Sequence, residues 1–170
     1  MEITNTLYEP ALIVTVQMDE ASQNYFNALR TQYFPPERNF LNAHLTLFHK
    51  LPDTPETAAQ VASVAATPFT IQVRGLINLG AGVAFRIESE ILKRLRSDLA
   101  RLFKDDLSAQ DRQGFRGHIT VSNKTRAELA RKLLAELSLD FKPFEVNALG
   151  LDLWRYLGGS WEHIDFIAFR

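Results

Sequence analysis

Two short segments of the chain carry the same pair of polar side chains, His44-Leu45-Thr46-Leu47 and His118-Ile119-Thr120-Val121. Side chains alternate along a β-strand, so residues two apart project from one face. Each segment therefore offers an imidazole beside a hydroxyl. Displacement at phosphorus needs a base to deprotonate the attacking oxygen and an acid to protonate the alkoxide that leaves on the opposite side. Imidazole serves either role, because its unperturbed pKa of ~6.5 keeps both protonation states populated near neutral pH. The hydroxyls of Thr46 and Thr120 can donate to the non-bridging oxygens, whose charge must be stabilised while bonds exchange. This chemistry calls for no metal and no other cofactor.

The elements that would position these groups are readable from periodicity and punctuation. Ala11 to Val16 is a short β-branched run, the mark of a buried strand. Asp19 caps a helix running to about Tyr33, with Phe26, Leu29 and Tyr33 on one face, and Pro35-Pro36 stops it. His44 to Phe48 is a second strand. Thr54-Pro55 then opens an Ala/Val helix through about Ala66, and strands Phe69 to Leu79 and Val83 to Glu88 meet at Gly80-Ala81-Gly82. The second half follows the same order: an amphipathic helix from Ser89 to Phe103, a polar stretch from Lys104 to Gly114 expected to be a mobile loop, and the His118 strand. Thr125-Arg126-Ala127-Glu128 reads as a capping box for another helix. Strands Phe144 to Tyr156 and Trp161 to Phe169 close the chain.

Pro68-Phe69-Thr70-Ile71 recurs as Pro143-Phe144-Glu145-Val146, and Gly75-Leu76 as Gly150-Leu151, at a single offset of 75 residues, while the two His-x-Thr strands lie 74 apart. The fold class expected is α+β, as one bilobal, duplicated domain. Repeat halves of about 11–80 and 82–156 form two antiparallel-sheet lobes with flanking helices around a central cleft, and a final strand at 161–169 is left over. A pseudo-twofold axis would turn the two motifs toward each other, with imidazoles separated by roughly one phosphate and its hydrogen bonds, ~5 to 8 Å.

Two His-x-Thr-hydrophobic strands in a duplicated chain of this size resemble the two-histidine phosphoesterases, which include the RNA 2′-5′ ligase-like proteins and the 2′,3′-cyclic nucleotide phosphodiesterases. Phe34-Pro35-Pro36-Glu37 precedes the first motif and Phe115-Arg116-Gly117 the other, and both segments are similar to that family's approaches; Gly117 departs where many members have proline. The resemblance covers nearly the whole chain. It implies metal-independent phosphodiester chemistry, with His44 and His118 as acid and base and Thr46 and Thr120 on the phosphate. The expected substrate is a small nucleotide or an RNA terminus, carrying a 2′,3′-cyclic phosphate or a 2′-5′ linkage. The alternative of another class is a module that holds an RNA end or nucleotide without turning it over.

Other residues admit an ordinary role beside a functional one. A histidine in a strand is ordinarily a polar or core residue, and one His-x-Thr alone is a weak signal; two at matching places in a repeat are a strong one. Arg86 faces away from Val83, Phe85 and Ile87, either solvated or as a substrate-binding cation lining the cleft. His49, at odd spacing from His44, should lie on the opposite strand face, and His163 reads as structural. Lys50 and Lys124, six residues beyond the histidines, are ~20 Å away along a strand and should be peripheral. Phe48, Trp154, Tyr156 and Trp161 could stack a base but are more often core. Gly80-Ala81-Gly82 lacks the spacing of a dinucleotide loop, and no His-Glu-x-x-His set supports a metallohydrolase.

Composition narrows the field further. The 170 residues are 46% apolar and 23% charged, enough to bury a core. A formal net charge of -1 argues against tracking a long nucleic-acid duplex. The absence of cysteine excludes disulfides, thiolate nucleophiles and Cys-ligated zinc. Met1 to Asn5 has no basic n-region and no apolar run approaches ~18 residues, so a cytoplasmic monomer with no membrane partner is expected.

Overall fold

The computed structural model describes residues 8–170; Met1 to Asn5, read above for a targeting signal, lies outside the described residues. The elements follow one another as β1 (Leu12–Met18), α1 (Glu20–Tyr33), β2 (Leu45–Leu51), α2 (Pro55–Ala62), β3 (Phe69–Asn78), β4 (Val83–Glu88), α3 (Glu90–Leu102), α4 (Ala109–Arg112), β5 (His118–Ser122), α5 (Ala127–Leu139), β6 (Phe144–Tyr156) and β7 (Trp161–Ala168). The order strand, helix, strand, helix, strand thus runs twice, with α4 inserted in the second pass and β7 following it. No described helix is long and apolar enough to cross a membrane.

The strands form one antiparallel sheet in the order β1-β2-β5-β4-β3-β6-β7, and a further pairing of β1 with β6 closes the first six into a ring. The halves exchange partners in a twofold manner, since β1 lies between β2 and β6 as β4 lies between β5 and β3. Where the halves meet, repeat mates pair with each other, Leu45 opposite Ile119 and Ile71 opposite Val146. An antiparallel pair of equivalent residues straddles a local twofold. The pseudo-twofold axis therefore passes beside both His-x-Thr motifs.

Sequence chemistry accounts for the pieces. Because β1 is flanked by β2 and β6 and covered on both faces, its apolar run is nearly continuous: Leu12, Val14 and Val16 enter the core, while Ala11, Ile13 and Thr15 are buried under the other face. Asp19, Thr54 and Ser89 cap α1, α2 and α3, each accepting from a backbone N–H three residues on. Phe26 of α1, Phe85 of β4 and Phe144 of β6 pack with ring centroids 5.4 to 6.2 Å apart, joining helix to sheet.

Three expectations are corrected. α2 ends at Ala62 rather than about Ala66, because the Ser63 hydroxyl turns back to the Gln60 carbonyl at 2.6 Å and the Val64 amide bonds the Val61 carbonyl, a tightened last turn that closes the helix. Thr125 does not form a capping box: its amide and its hydroxyl both donate to the Ala81 carbonyl in the β3–β4 turn, and the N-cap position falls to Arg126. The polar stretch from Lys104 to Gly114 is anchored rather than loose. Within it α4 presents Asp111, 2% exposed, whose carboxylate accepts the amides of His49 and Lys50 and the His49 Nδ1–H at 2.9 to 3.1 Å. Burial works to raise the Asp111 pKa, but these hydrogen bonds outweigh it and hold the carboxyl below its ordinary range. Its stabilisation is thus present above the usual carboxylate pKa and is lost as pH falls through the lower folded value. Asp111→Ala orphans two strand amides, so a denaturant melt at neutral pH should show a loss of about 2 to 4 kcal/mol. An unchanged midpoint would show the anchor to be dispensable.

Candidate active site

The pairing of Leu45 with Ile119 sends both of these side chains into the core, fully buried. Alternation then turns His44, Thr46, His118 and Thr120 to the opposite face, and all four are half-buried. Continuing the register sets His44 against Thr120 and Thr46 against His118. The two imidazoles are diagonal neighbours, a relation that spans ~7 to 8 Å in such a ladder. β1 and β4 extend the array on either side, with Thr15 opposite Thr46 and Arg86 opposite His118. Arg86 is exposed, and its guanidinium lies over Gly75, where an added Cβ would meet it at 3.8 Å. It belongs to the face that carries the histidines.

Both rings are held alike. His44 Nδ1 lies 2.8 Å from the Asn42 carbonyl and His118 Nδ1 lies 2.9 Å from the Arg116 carbonyl. A carbonyl only accepts, so Nδ1 carries hydrogen in each ring and Nε2 is the atom left to take or give a proton. The rings differ in their surroundings. Trp161 covers His44, with ring centroids 4.7 Å apart. Desolvation, assisted by the positive charge of Arg30 and by His49 and His118, pushes the His44 imidazole down to about 4, against the opposing effect of its bond to Asn42. His44 is neutral at pH 7.

Support from beneath comes from α1. Asn27 Oδ1 accepts the Ala43 amide at 2.9 Å and Gln23 Nε2 donates to the Ala43 carbonyl at 2.7 Å, which fixes the backbone one residue before His44. Arg30, 4% exposed, donates to the Thr120 carbonyl at 3.1 Å and lies 4.3 Å from the Phe34 ring centroid. On the other half Arg96 of α3 donates to the Leu47 carbonyl at 3.0 Å. Each motif strand is thus held by a buried arginine from the opposite half.

The His49 expectation is overturned. Opposite β1, Thr46 pairs with Thr15, Phe48 with Val14 and Leu51 with Leu12, so β2 carries two bulges. Leu47 and Phe48 are both buried, and the alternation resets. His49 and Lys50 therefore share the His44 face despite the odd spacing. Lys50 pairs with Glu9, and Lys124 is exposed beyond the end of β5, so both lysines stand apart from the array. Among the described residues no three His, Asp or Glu side chains are grouped to hold a metal ion.

A cleft of about 560 Å³ opens on the His44 side, lined in part by Thr15, Gln17, Phe40, His44, Asp152, Trp154 and Trp161. Phe48 is in the core as expected, but Trp154, Tyr156 and Trp161 are half-buried on the cleft face. His163 is not isolated: its Nε2–H donates to Asp152 Oδ1 at 2.8 Å. Sequence reasoning missed Gln23, Asn27 and Arg30. Their helical spacing on α1 was the available signal, since an uncharged amide pair and an arginine sit on the face that carries Phe26.

The sequence matches the 2′-5′ RNA ligase superfamily over residues 18–160. The chain belongs to that superfamily. No curated protein matches it as a relative. Among solved structures it resembles protein TT0787 of Thermus thermophilus, at 18% identity and a TM-score of 0.66, covering 94% of this chain and 98% of that one. It also resembles LigT of E. coli in its apo form, at 15% identity and a TM-score of 0.62, over 95% and 99% of the two chains. A third match, a phosphoesterase, has 17% identity, a TM-score of 0.63 and coverage of 95% and 99%. These likenesses show a shared fold across the whole superfamily domain, and membership supports phosphodiester chemistry in general.

Proposed function

We propose that this superfamily member is a metal-independent phosphodiesterase or transesterase. Its two repeat halves act as the lobes of one bilobal domain on a small RNA-related phosphodiester, a 2′,3′-cyclic phosphate or a 2′-5′ linkage. The observation that carries the reading is the crossed array of His44, Thr46, His118 and Thr120 with both Nδ1 atoms tied to carbonyls. LigT has been crystallised with 3′-AMP and with ATP, which supports a nucleotide as the ligand class. His44, neutral at pH 7, takes the proton of the attacking oxygen on Nε2. The new O–P bond forms, the bond to the leaving oxygen breaks, and His118 Nε2 supplies that oxygen with a proton. Thr46 and Thr120 donate to the non-bridging oxygens, and Arg86 neutralises phosphate charge beside His118. Where the ribose lies decides the nucleophile. Beside His44 its own vicinal hydroxyl attacks and the step is a transesterification; beside His118 water attacks and the step is a hydrolysis.

A screen of purified protein against 2′,3′-cyclic mononucleotides, cyclic-phosphate-ended RNA and 2′-5′ dinucleotides, with and without EDTA, tests this directly. Turnover that survives chelation is the expected result. Saturable binding of every compound with no product would make the protein a binding module. A pH prediction follows from His44. The base works only when neutral, and its folded value is depressed, so kcat/KM should hold down to about pH 4 before falling. Trp161→Ala lets water reach the imidazole and should move that limb upward, toward the ordinary ~6.5. A wild-type limb already near 6.5 would remove His44 as the buried base.

A further inference from the structure

The cleft is one-sided, because β7 has no counterpart in the repeat. Trp161 and His163 come from β7, and Asp152 and Trp154 from the part of β6 that β7 pairs with. On the His118 side the array ends instead in the exposed Arg86. Resting on the phosphodiesterase reading of the array, we infer that the cleft beside His44 is a nucleobase subsite in which Asp152 selects guanine.

The walls suit a flat aromatic ring. Phe40 stands 73% exposed at the rim, just before the His44 strand, and Trp154 and Trp161 form the inner side with ring centroids 5.9 Å apart. An aromatic side chain left this open beside a cleft gains apolar contact when a base slides against it. The floor is polar and selective. Asp152 is 7% exposed, and its register opposite Thr15 turns it to the cleft face. Oδ1 accepts from His163 at 2.8 Å, whereas Oδ2 has no closer partner among the described residues than Gln17 Nε2 at 3.4 Å. A carboxylate only accepts, and an oxygen this poorly served in a buried setting favours a ligand that donates. Guanine presents two adjacent donors, N1–H and the N2 amino group, on one edge. Adenine and cytosine each offer one amino group there, and uracil sets carbonyl oxygens on either side of its single N–H. The order of preference is guanine first and uracil last. Seated in the cleft, the nucleoside also has its vicinal hydroxyl next to His44, the transesterification geometry.

Binding tests this without turnover. Quenching of tryptophan fluorescence by 3′-GMP, 3′-AMP, 3′-CMP and 3′-UMP should give a dissociation constant at least about tenfold lower for 3′-GMP than for 3′-UMP. Asp152→Asn keeps the shape and should bring the four within about twofold of one another. Phe40→Ala, at an exposed position that folding does not need, should weaken all four alike by about fivefold or more. Equal affinities in the wild type, a guanine preference that survives Asp152→Asn, or no binding of any nucleotide would overturn the subsite. Guanine preference in binding with no phosphodiester turnover would leave the subsite standing and remove the catalytic reading, while turnover without base preference would do the reverse.

Discussion

Replacing either His44 or His118 with alanine should lower turnover by ~10² to 10⁴, and replacing both should cost far less than the product of the single losses. In the proposed mechanism the two rings act on one displacement, so once one proton transfer is lost the other has little left to assist. The rings need not contribute the same pH limb. The proposed roles of base for His44 and acid for His118 predict a bell-shaped wild-type profile, from which each alanine variant should lose one limb. Steady-state rates across pH, with circular dichroism to confirm folding, provide the check. Near-full activity in either single variant, or a rate that climbs to high pH and vanishes with chelator, would point to a metal-bound hydroxide instead.

The second large effect belongs to the threonines. Thr46→Val and Thr120→Val keep the β-branch and the volume while removing the hydroxyl donor, so the strands should persist and the proposed phosphate stabilisation be lost. Each should reduce kcat by ~10² or more. The register sharpens the expectation, because each threonine faces the histidine of the other motif across the β2–β5 junction. Loss of Thr46 removes the donor beside His118, and loss of Thr120 the donor beside His44. Wild-type rates in both valine variants would assign the hydroxyls to strand structure alone.

Much of this arrangement was legible from local pattern. A two-residue period shows that His44 and Thr46 share a face, a three-to-four-residue period marks the buried side of α1 and α3, and proline, glycine and capping residues punctuate the chain. The offset of 75 between Pro68-Phe69 and Pro143-Phe144 reveals the repeat, because a duplicated unit keeps its apolar spacing wherever it must bury the same face. What failed were features set by distant contacts. The stretch from Lys104 to Gly114, expected to be mobile, is tied to β2 through Asp111, and Thr125 went to the Ala81 carbonyl rather than to its own helix.

The sequence by itself determined which residues can do acid–base chemistry, that they occur twice, and the order of strands and helices around them, since each rests on covalent spacing and intrinsic conformational preference. Tertiary structure alone decided how the two copies face each other, through the single pairing of Leu45 with Ile119 on the symmetry axis. It also brought His49 onto the His44 face, because a bulge forms only where a partner strand imposes a mismatched register, and it buried Arg30 against the Thr120 carbonyl. The difference in surroundings between two imidazoles in equivalent motifs came from β7, whose Trp161 covers one ring and has no mate over the other. Desolvation depends on what packs from elsewhere in the chain, so the depressed His44 imidazole is a product of the tertiary structure and not of its motif.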